Sequence, residues 1–516
     1  MSIKQPSFEK LPREHEIAAI EEKEPGGIEE KDFSFTASDV LKTLRLPEGK
    51  KIEYIGSATS DFQAEPLLFD AKGRPMVFSD WEMELVKKLE GKPSKIVGGP
   101  EVVAELPHFH QFKEDYIRRS ADLGENMLQF SLDFARLCPE VGEFNESLMA
   151  DYVKALALIR AHNAEPMLAI YHWPMPKYLL TLDREGNIEA GGWEHPDVAQ
   201  HFRFYVESVV EYLSSEDKVR AVLKSQGFTK DAQDKFLAEG LVRYFLSINE
   251  PTSILIPGYV AGIFPPFKKG NVIAFKKVLS ELVDAHDIAR DEIKAGKLKV
   301  KSGEPQVGIG HNWTYFDGVL GKVLNAVANR GITKKFERTG EYSDFLGLQY
   351  YFRMTVPLLS RRGRVYGEHP DFGDIYPPGI YKLLKNMNAT YPQKEIFVSE
   401  FGFSDRKDVR RPYWIIETVR YILEAKKHGV LIKGMLLWSL VNNFEWARGM
   451  EQKFGLFDEK ELTQPLKPSS SGEVRSWEAW TAITRVIHDP SDENLQALQK
   501  IYERAKIQFT ADISKV

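Results

Sequence analysis

Short apolar runs recur along this chain, and between them lie longer stretches in which apolar residues return every three or four positions. The runs occupy residues 51–59, 126–134, 165–173, 242–250, 306–315, 344–352, 395–403 and 433–441. Each has the length of a buried strand, and the stretches between them carry the period of amphipathic helices. The clearest helix spans 145–163, where Leu148, Met149, Tyr152, Val153, Leu156 and Ile159 share one face, Asn145 stands at the N-cap position and Pro166 lies just beyond the end. Eight strands joined by helical crossovers predict an α/β fold, the (β/α)8 TIM barrel, with its chemistry at the C-terminal strand ends. A doubly wound open sheet is the alternative, but no G-x-G-x-x-G follows the first run and no phosphate-binding loop motif occurs.

What falls outside this pattern sets the domain plan. Residues 1–45 mix charges with Pro25, Gly26 and Gly27, lack an apolar period and predict a flexible N-terminal tail. Residues 46–490 then form one barrel domain, a size such barrels reach with loop insertions. Within it, 214–240 reads as one or two polar helices inserted before the fourth strand. Residues 491–516, with Leu495, Leu498, Ile501, Tyr502 and Ala505, read as a C-terminal helix packed on the barrel. The most apolar stretch, 429–441, is interrupted by Lys433, and the first residues carry no signal-peptide run, so a cytoplasmic protein is expected.

Charge and composition narrow the ligand. A net charge of −6 supplies no basic field for a phosphate backbone, so nucleic acid is not an expected partner. The 9 Trp, 20 Tyr and 31 Phe offer rings on which sugars stack, although rings fill ordinary cores as well. The single cysteine, Cys138, has no partner for a disulfide and cannot alone make a thiolate metal site. No feature fixes an oligomeric state.

Two of the runs end in carboxylates. The fourth closes with Asn249-Glu250-Pro251 and the seventh with Ser399-Glu400-Phe401-Gly402, which brings two Glu side chains to one barrel rim. Glycoside hydrolysis needs such a pair: one carboxyl protonates the leaving oxygen while the other attacks the anomeric carbon, and a separation of about 5–5.5 Å gives retention of configuration. Taken alone, each Glu reads equally well as a strand-end ion pair. The neighbouring strand ends break the tie. His172-Trp173 closes the third run, Tyr350-Tyr351 the sixth and Trp438 the eighth, with Glu445-Trp446 just beyond. Aromatic surfaces and hydrogen-bonding groups converge there, as the apolar face and hydroxyls of a small-molecule glycoside require. His108 and His110, in PHFHQF, lack the H-E-x-x-H context of a metal site and read as structural; neither a metal nor another cofactor is expected.

At these positions the chain resembles glycoside hydrolase family 1, the β-glucosidase and β-galactosidase family, over roughly residues 53–487. The resemblance rests on IGSATSDFQAEP, FSLDFARLCPEVGEFNE, IYHWPMPKYL, LSINEP, DFLGLQYYF, VSEFGF and LLWSLVNNFEWARGMEQKFGLFD, in the family's order. It implies a retaining exo-β-glycosidase with Glu250 as acid/base and Glu400 as nucleophile, the latter hydrogen-bonded by Tyr351. It further implies that Gln63, His172, Asn249 and Glu445 bind hydroxyls of the sugar to be released, with Asn249 on the 2-hydroxyl. Trp438 and Trp446 would form its floor and wall, and Trp173 would join the substrate-binding set. The Glu445-Trp446 pair implies an unphosphorylated sugar, since a carboxylate there repels a 6-phosphate.

Three residues near the nucleophile depart from the family pattern. Gln129 stands where the family has an arginine, Gln349-Tyr350-Tyr351 where the sixth strand usually reads N-Y-Y, and Glu400-Phe401-Gly402 where it reads E-N-G. The missing arginine removes an attraction that commonly lowers a carboxylate pKa by about 1–3 units, which predicts an activity that is slow, shifted in pH optimum or redirected. Two further readings follow. The segment from YPPGIYKLLKNM through SDRKDVRRPYWI is similar to a plant chloroplast branch that transfers galactose between galactolipids, which implies a transglycosylase with a glycolipid acceptor. The altered surroundings of the nucleophile also admit a carbohydrate-binding pseudoenzyme, although both Glu250 and Glu400 are present.

Overall fold

The structure is a computed structural model that describes residues 42–46, 50–338, 342–355, 368–369, 373–374, 376–469 and 472–513. Nearly all of the expected N-terminal tail, 1–45, lies outside the described residues. Eight parallel strands close into a barrel: β1 Tyr54–Ala58, β2 Met127–Ser131, β3 Glu165–Tyr171, β4 Tyr244–Asn249, β5 Gln306–Asn312, β6 Phe345–Tyr350, β7 Glu395–Phe401 and β8 Ile432–Trp438. Each strand pairs with its neighbours in sequence, and β1 pairs with β8 from Tyr54 opposite Gly434 to Ala58 opposite Trp438. The strands are the cores of the eight apolar runs. Every one is nearly or wholly buried because helices cover the outside and side chains fill the inside.

Alternation along each strand sorts residues between these two layers. Inside, the rings of Tyr54, Tyr244, Phe345 and Phe397 meet at centroid distances of 4.9–6.1 Å and form a floor below the C-terminal rim. Outside, residues such as Ile55, Ile170, Ile248 and Val398 join the strand–helix layer. The helix expected over 145–163 runs Glu146–Ala161, and the Asn145 side chain caps it by accepting from the Leu148 amide at 3.1 Å.

Two helices, Glu216–Ser225 and Lys230–Glu239, precede β4, and their Val219, Val222, Leu223, Phe236 and Leu237 are buried in the outer layer. The last helix, Asp492–Ile513, lies against the helix Arg411–Lys427, where Tyr413 meets Tyr502 at 5.5 Å and Phe509 at 4.7 Å. A hairpin of Leu180–Leu182 with Ile188–Gly191, and a small sheet built on Tyr315–Asp317 and Arg353–Thr355, extend the rim. The fifth run therefore breaks into two: β5 ends at Asn312, and the following residues turn into this rim sheet. Among the described residues no helix is long and apolar enough to cross a membrane.

Candidate active site

The C-terminal ends of β1, β3, β4, β6, β7 and β8 deliver Gln63, His172, Asn249, Glu250, Tyr351, Glu400 and Trp438 into one buried cluster. Strand register explains the convergence. Asn249 stands opposite Gly310, Gln349 opposite both Asn312 and Glu400, and Ala58 opposite both Gln129 and Trp438. In β7 the pairing slips between Val398 and Glu400, a bulge that re-aims the end of the strand, as bulges beside active sites do.

Glu400 has three donors. Its carboxylate accepts the Tyr351 hydroxyl at 2.5 Å and the Gln129 side-chain amide at 3.4 Å, and Asn249 donates to it as well. Burial and the nearby Glu250 and Glu445 carboxyls push its pKa well above the usual range, while Tyr351 and Asn249 pull it back. Gln129 stands where a guanidinium would offset the like charges, and a neutral amide donates without that attraction.

Glu250 is held differently. Its φ of 47° and ψ of 67° lie in the left-handed region, directly before Pro251 opens the helix Pro251–Leu255. A residue ahead of proline is disfavoured in the right-handed helical region, and the turn throws the carboxyl inward from the strand end. Its backbone amide donates to the Gly310 carbonyl at 2.9 Å. Ser253 and Asn312 hydrogen-bond the carboxyl, but burial dominates and pushes Glu250 up to about 7. Neither Ser253 nor Asn312 stands out in the sequence. The usable signal was position: Ser253 sits one helical turn after Glu250, and Asn312 ends the adjacent strand.

The remaining predicted residues line the same place. Gln63 donates to the Phe444 carbonyl at 2.9 Å and keeps a buried Oε1 with no protein partner. His172 is held neutral by burial, its pKa lowered to about 3, and Asn249 Nδ2 lies 3.3 Å from its Nε2. Trp438 donates its indole N–H to Glu445 at 3.1 Å, and burial raises Glu445 to about 8. Trp446 stacks between Phe62 at 5.6 Å and His172 at 6.0 Å, and Trp173 packs on it at 4.5 Å while donating to the Asn249 carbonyl at 2.9 Å. Trp173, Glu250 and Trp446 all have positive φ, so strained backbone concentrates at this cluster.

Three other sequence features land elsewhere. Phe401 points away from the cluster into the outer layer, against Trp414 at 6.0 Å and Trp480 at 6.1 Å. His108 approaches Glu459, whereas His110 sits between Asp61 at 2.9 Å and Asp151 at 2.6 Å, and these carboxylates raise it to about 10 against the opposing effect of burial. Among the described residues no group of three or more His, Cys, Asp or Glu is arranged to hold a metal ion.

A family model described as Glycosyl hydrolase family 1 matches residues 53–238 and 365–471, more than half of the chain. The chain is 24% identical over 452 residues to a 1,4-beta-D-glucan glucohydrolase of Thermotoga neapolitana, spanning 78% of this chain and 95% of the relative. A beta-glucosidase from Pyrococcus furiosus superposes with a TM-score of 0.66 at 22% identity, covering 89% of this chain and 99% of that one. The Thermotoga maritima beta-glucosidase solved with glucoimidazole gives 0.63 at 20% identity, covering 88% and 99%.

Proposed function

Because the chain belongs to glycosyl hydrolase family 1, we propose that it is a retaining exo-β-glycosidase acting on unphosphorylated β-glucosides or β-galactosides, with Glu400 as nucleophile and Glu250 as acid/base. The observation that carries this reading is the unequal treatment of two buried carboxyls in one cluster. Glu400 accepts from Tyr351, Gln129 and Asn249, whereas Glu250 has only Ser253 and Asn312 and a buried Oε1 without a protein partner. Like charges this near cannot both ionise, so one proton is kept between them. Burial and the neighbouring carboxyls oppose a charge on Glu400, and we assign it there because Glu400 has the larger set of donors, which leaves the proton on Glu250.

The chemistry follows from that division. A Glu400 oxygen attacks the anomeric carbon as the bond to the aglycone oxygen breaks, and Glu250 gives that oxygen its proton. Glu400 is then a neutral ester, which removes the charge that held Glu250 protonated. Glu250 accordingly accepts a proton from water as the water oxygen attacks the anomeric carbon and frees Glu400. Gln63, His172, Asn249 and Glu445 bind the sugar hydroxyls, and Trp438, Trp446 and Trp173 provide its apolar surround. The glucan, glucoside and glucoimidazole named for the relatives support a gluco-configured sugar.

The test is intact mass after incubation with 2-deoxy-2-fluoro-β-glucosyl and β-galactosyl fluorides, with Glu400→Gln as control. One added sugar mapped to Glu400 is expected. Absence of an adduct from both reagents, together with measurable sugar binding, would favour a carbohydrate-binding protein without turnover.

A further inference from the structure

Gln349 lies fully buried on β6, two residues before Tyr351. Its side chain passes across β5, and Nε2 donates to Asn249 Oδ1 on β4 at 2.6 Å. The path is open because residue 310 is glycine: a Cβ there would lie 2.9 Å from Gln349 Nε2 and 3.0 Å from Asn249 Oδ1. The bond and the glycine are therefore two parts of one arrangement, on strands β4, β5 and β6.

An asparagine amide has a donor end and an acceptor end, and its surroundings decide which way it faces. With Oδ1 fixed by Gln349, Nδ2 is turned to the opposite side, where it lies 3.3 Å from His172 Nε2 and donates to Glu400. Turning Asn249 over would set its Oδ1 against the Glu400 carboxylate and its NH2 against the Gln349 NH2, so the amide is held from both ends, by Glu400 on one side and Gln349 on the other. We propose that Gln349 is a positioning residue for the reaction: reaching over Gly310, it fixes the Asn249 amide with its N–H groups toward Glu400 and the 2-hydroxyl of the sugar. The inference rests on the glycosidase reading above and names a determinant of how that site treats the 2-hydroxyl.

Reach matters as well. Asparagine at position 349 is one methylene shorter, about 1.5 Å less extension, which stretches a 2.6 Å hydrogen bond beyond bonding distance. Gln349→Asn and the near-isosteric Gln349→Met should therefore both release Asn249, one keeping the amide chemistry and the other the volume.

The experiment compares kcat/KM on paired 4-nitrophenyl β-glucosides, with and without the 2-hydroxyl, for wild type, Gln349→Met, Gln349→Asn and Gly310→Ala. The expected result is a loss of about 30- to 300-fold on the 2-hydroxy substrate, because that contact strengthens in the transition state. On the 2-deoxy substrate the loss should be clearly smaller, about 3- to 10-fold, because only the Asn249 donation to Glu400 is weakened there. Folding is checked by near-ultraviolet circular dichroism, and Gln349→Met carries the test should Gly310→Ala fail to fold. Equal losses on both substrates would assign Gln349 a merely structural role and overturn the inference, as would no loss on either. Should wild type turn over neither glycoside, the glycosidase reading itself fails and the inference falls with it.

Discussion

The donors to Glu400, on which its proposed charge depends, are all neutral: a phenol at 2.5 Å and the amides of Gln129 and Asn249. Introducing a cation changes that balance in a known direction. Gln129→Arg should favour the ionised carboxylate and move the acidic limb of the kcat/KM profile to lower pH by about 1–3 units, leaving the basic limb in place. Ser253→Ala acts on the other carboxyl. It removes a donor that favours ionised Glu250, so the pKa rises from about 7 and the basic limb moves up by roughly half to one pH unit. Profiles of the two variants should shift at opposite ends, and a shift of both limbs together in either variant would contradict the assigned roles. The sequence made Glu250 and Glu400 readable because each ends an apolar run. It left Ser253 and Asn312 unseen, since a serine in a helical turn and an asparagine at a strand end are common and only the closed barrel brings them to the carboxyl.

Strand periodicity accounts for much of what first looks anomalous in the sequence. Phe401 stands where the family has asparagine, yet alternation directs it outward onto Trp414 and Trp480, one residue after Glu400 is directed inward. The eight runs gave the strands because all are buried on both faces; the two- to four-residue rim strands were not legible, being too short to show a period. Between β4 and its covering helix Val272–Ala295, Ser247 Oγ meets His286 Nδ1 at 2.6 Å, and His286 Nε2 faces Ser343 at 3.3 Å. Burial lowers His286 to about 3, below the ordinary value near 6.5 that it regains on unfolding. Unfolding therefore takes up a proton between these values, and the contribution of His286 to stability is lost as pH falls below about 6.5. In His286→Asn, urea titrations between pH 6 and 4 should show a stability slope shallower by about 1.4 kcal/mol per pH unit, and an unchanged slope would refute the burial argument.

At the scale of the molecule, a buried charge cluster ties together segments at the C-terminal rim of the barrel. Arg136, after β2, faces Glu82 at 2.9 Å, Asp133 at 3.5 Å and Asp61 at 3.8 Å, all buried, and Asp61 lies two residues before Gln63. Arg136→Leu would leave Glu82 and Asp133 buried without a cation and Asp61 with His110 alone. A loss of about 3–5 kcal/mol in denaturant unfolding is expected, with glycosidase activity falling in parallel because Gln63 shares that turn. Retention of wild-type stability would mean that the carboxylates are neutralised by other means.

Pairing of β1 with β8 means that the barrel is sealed by the last strand to be made. Glu250 belongs to the first four strands and Glu400 to the last four, and Trp438 with Glu445 arrives only at the closing seam. A nascent chain, or a fragment cut between β4 and β5, holds at most part of this constellation. Turnover is thus a reporter of closure: two separately expressed halves should be silent apart and regain activity only insofar as they reassemble the seam.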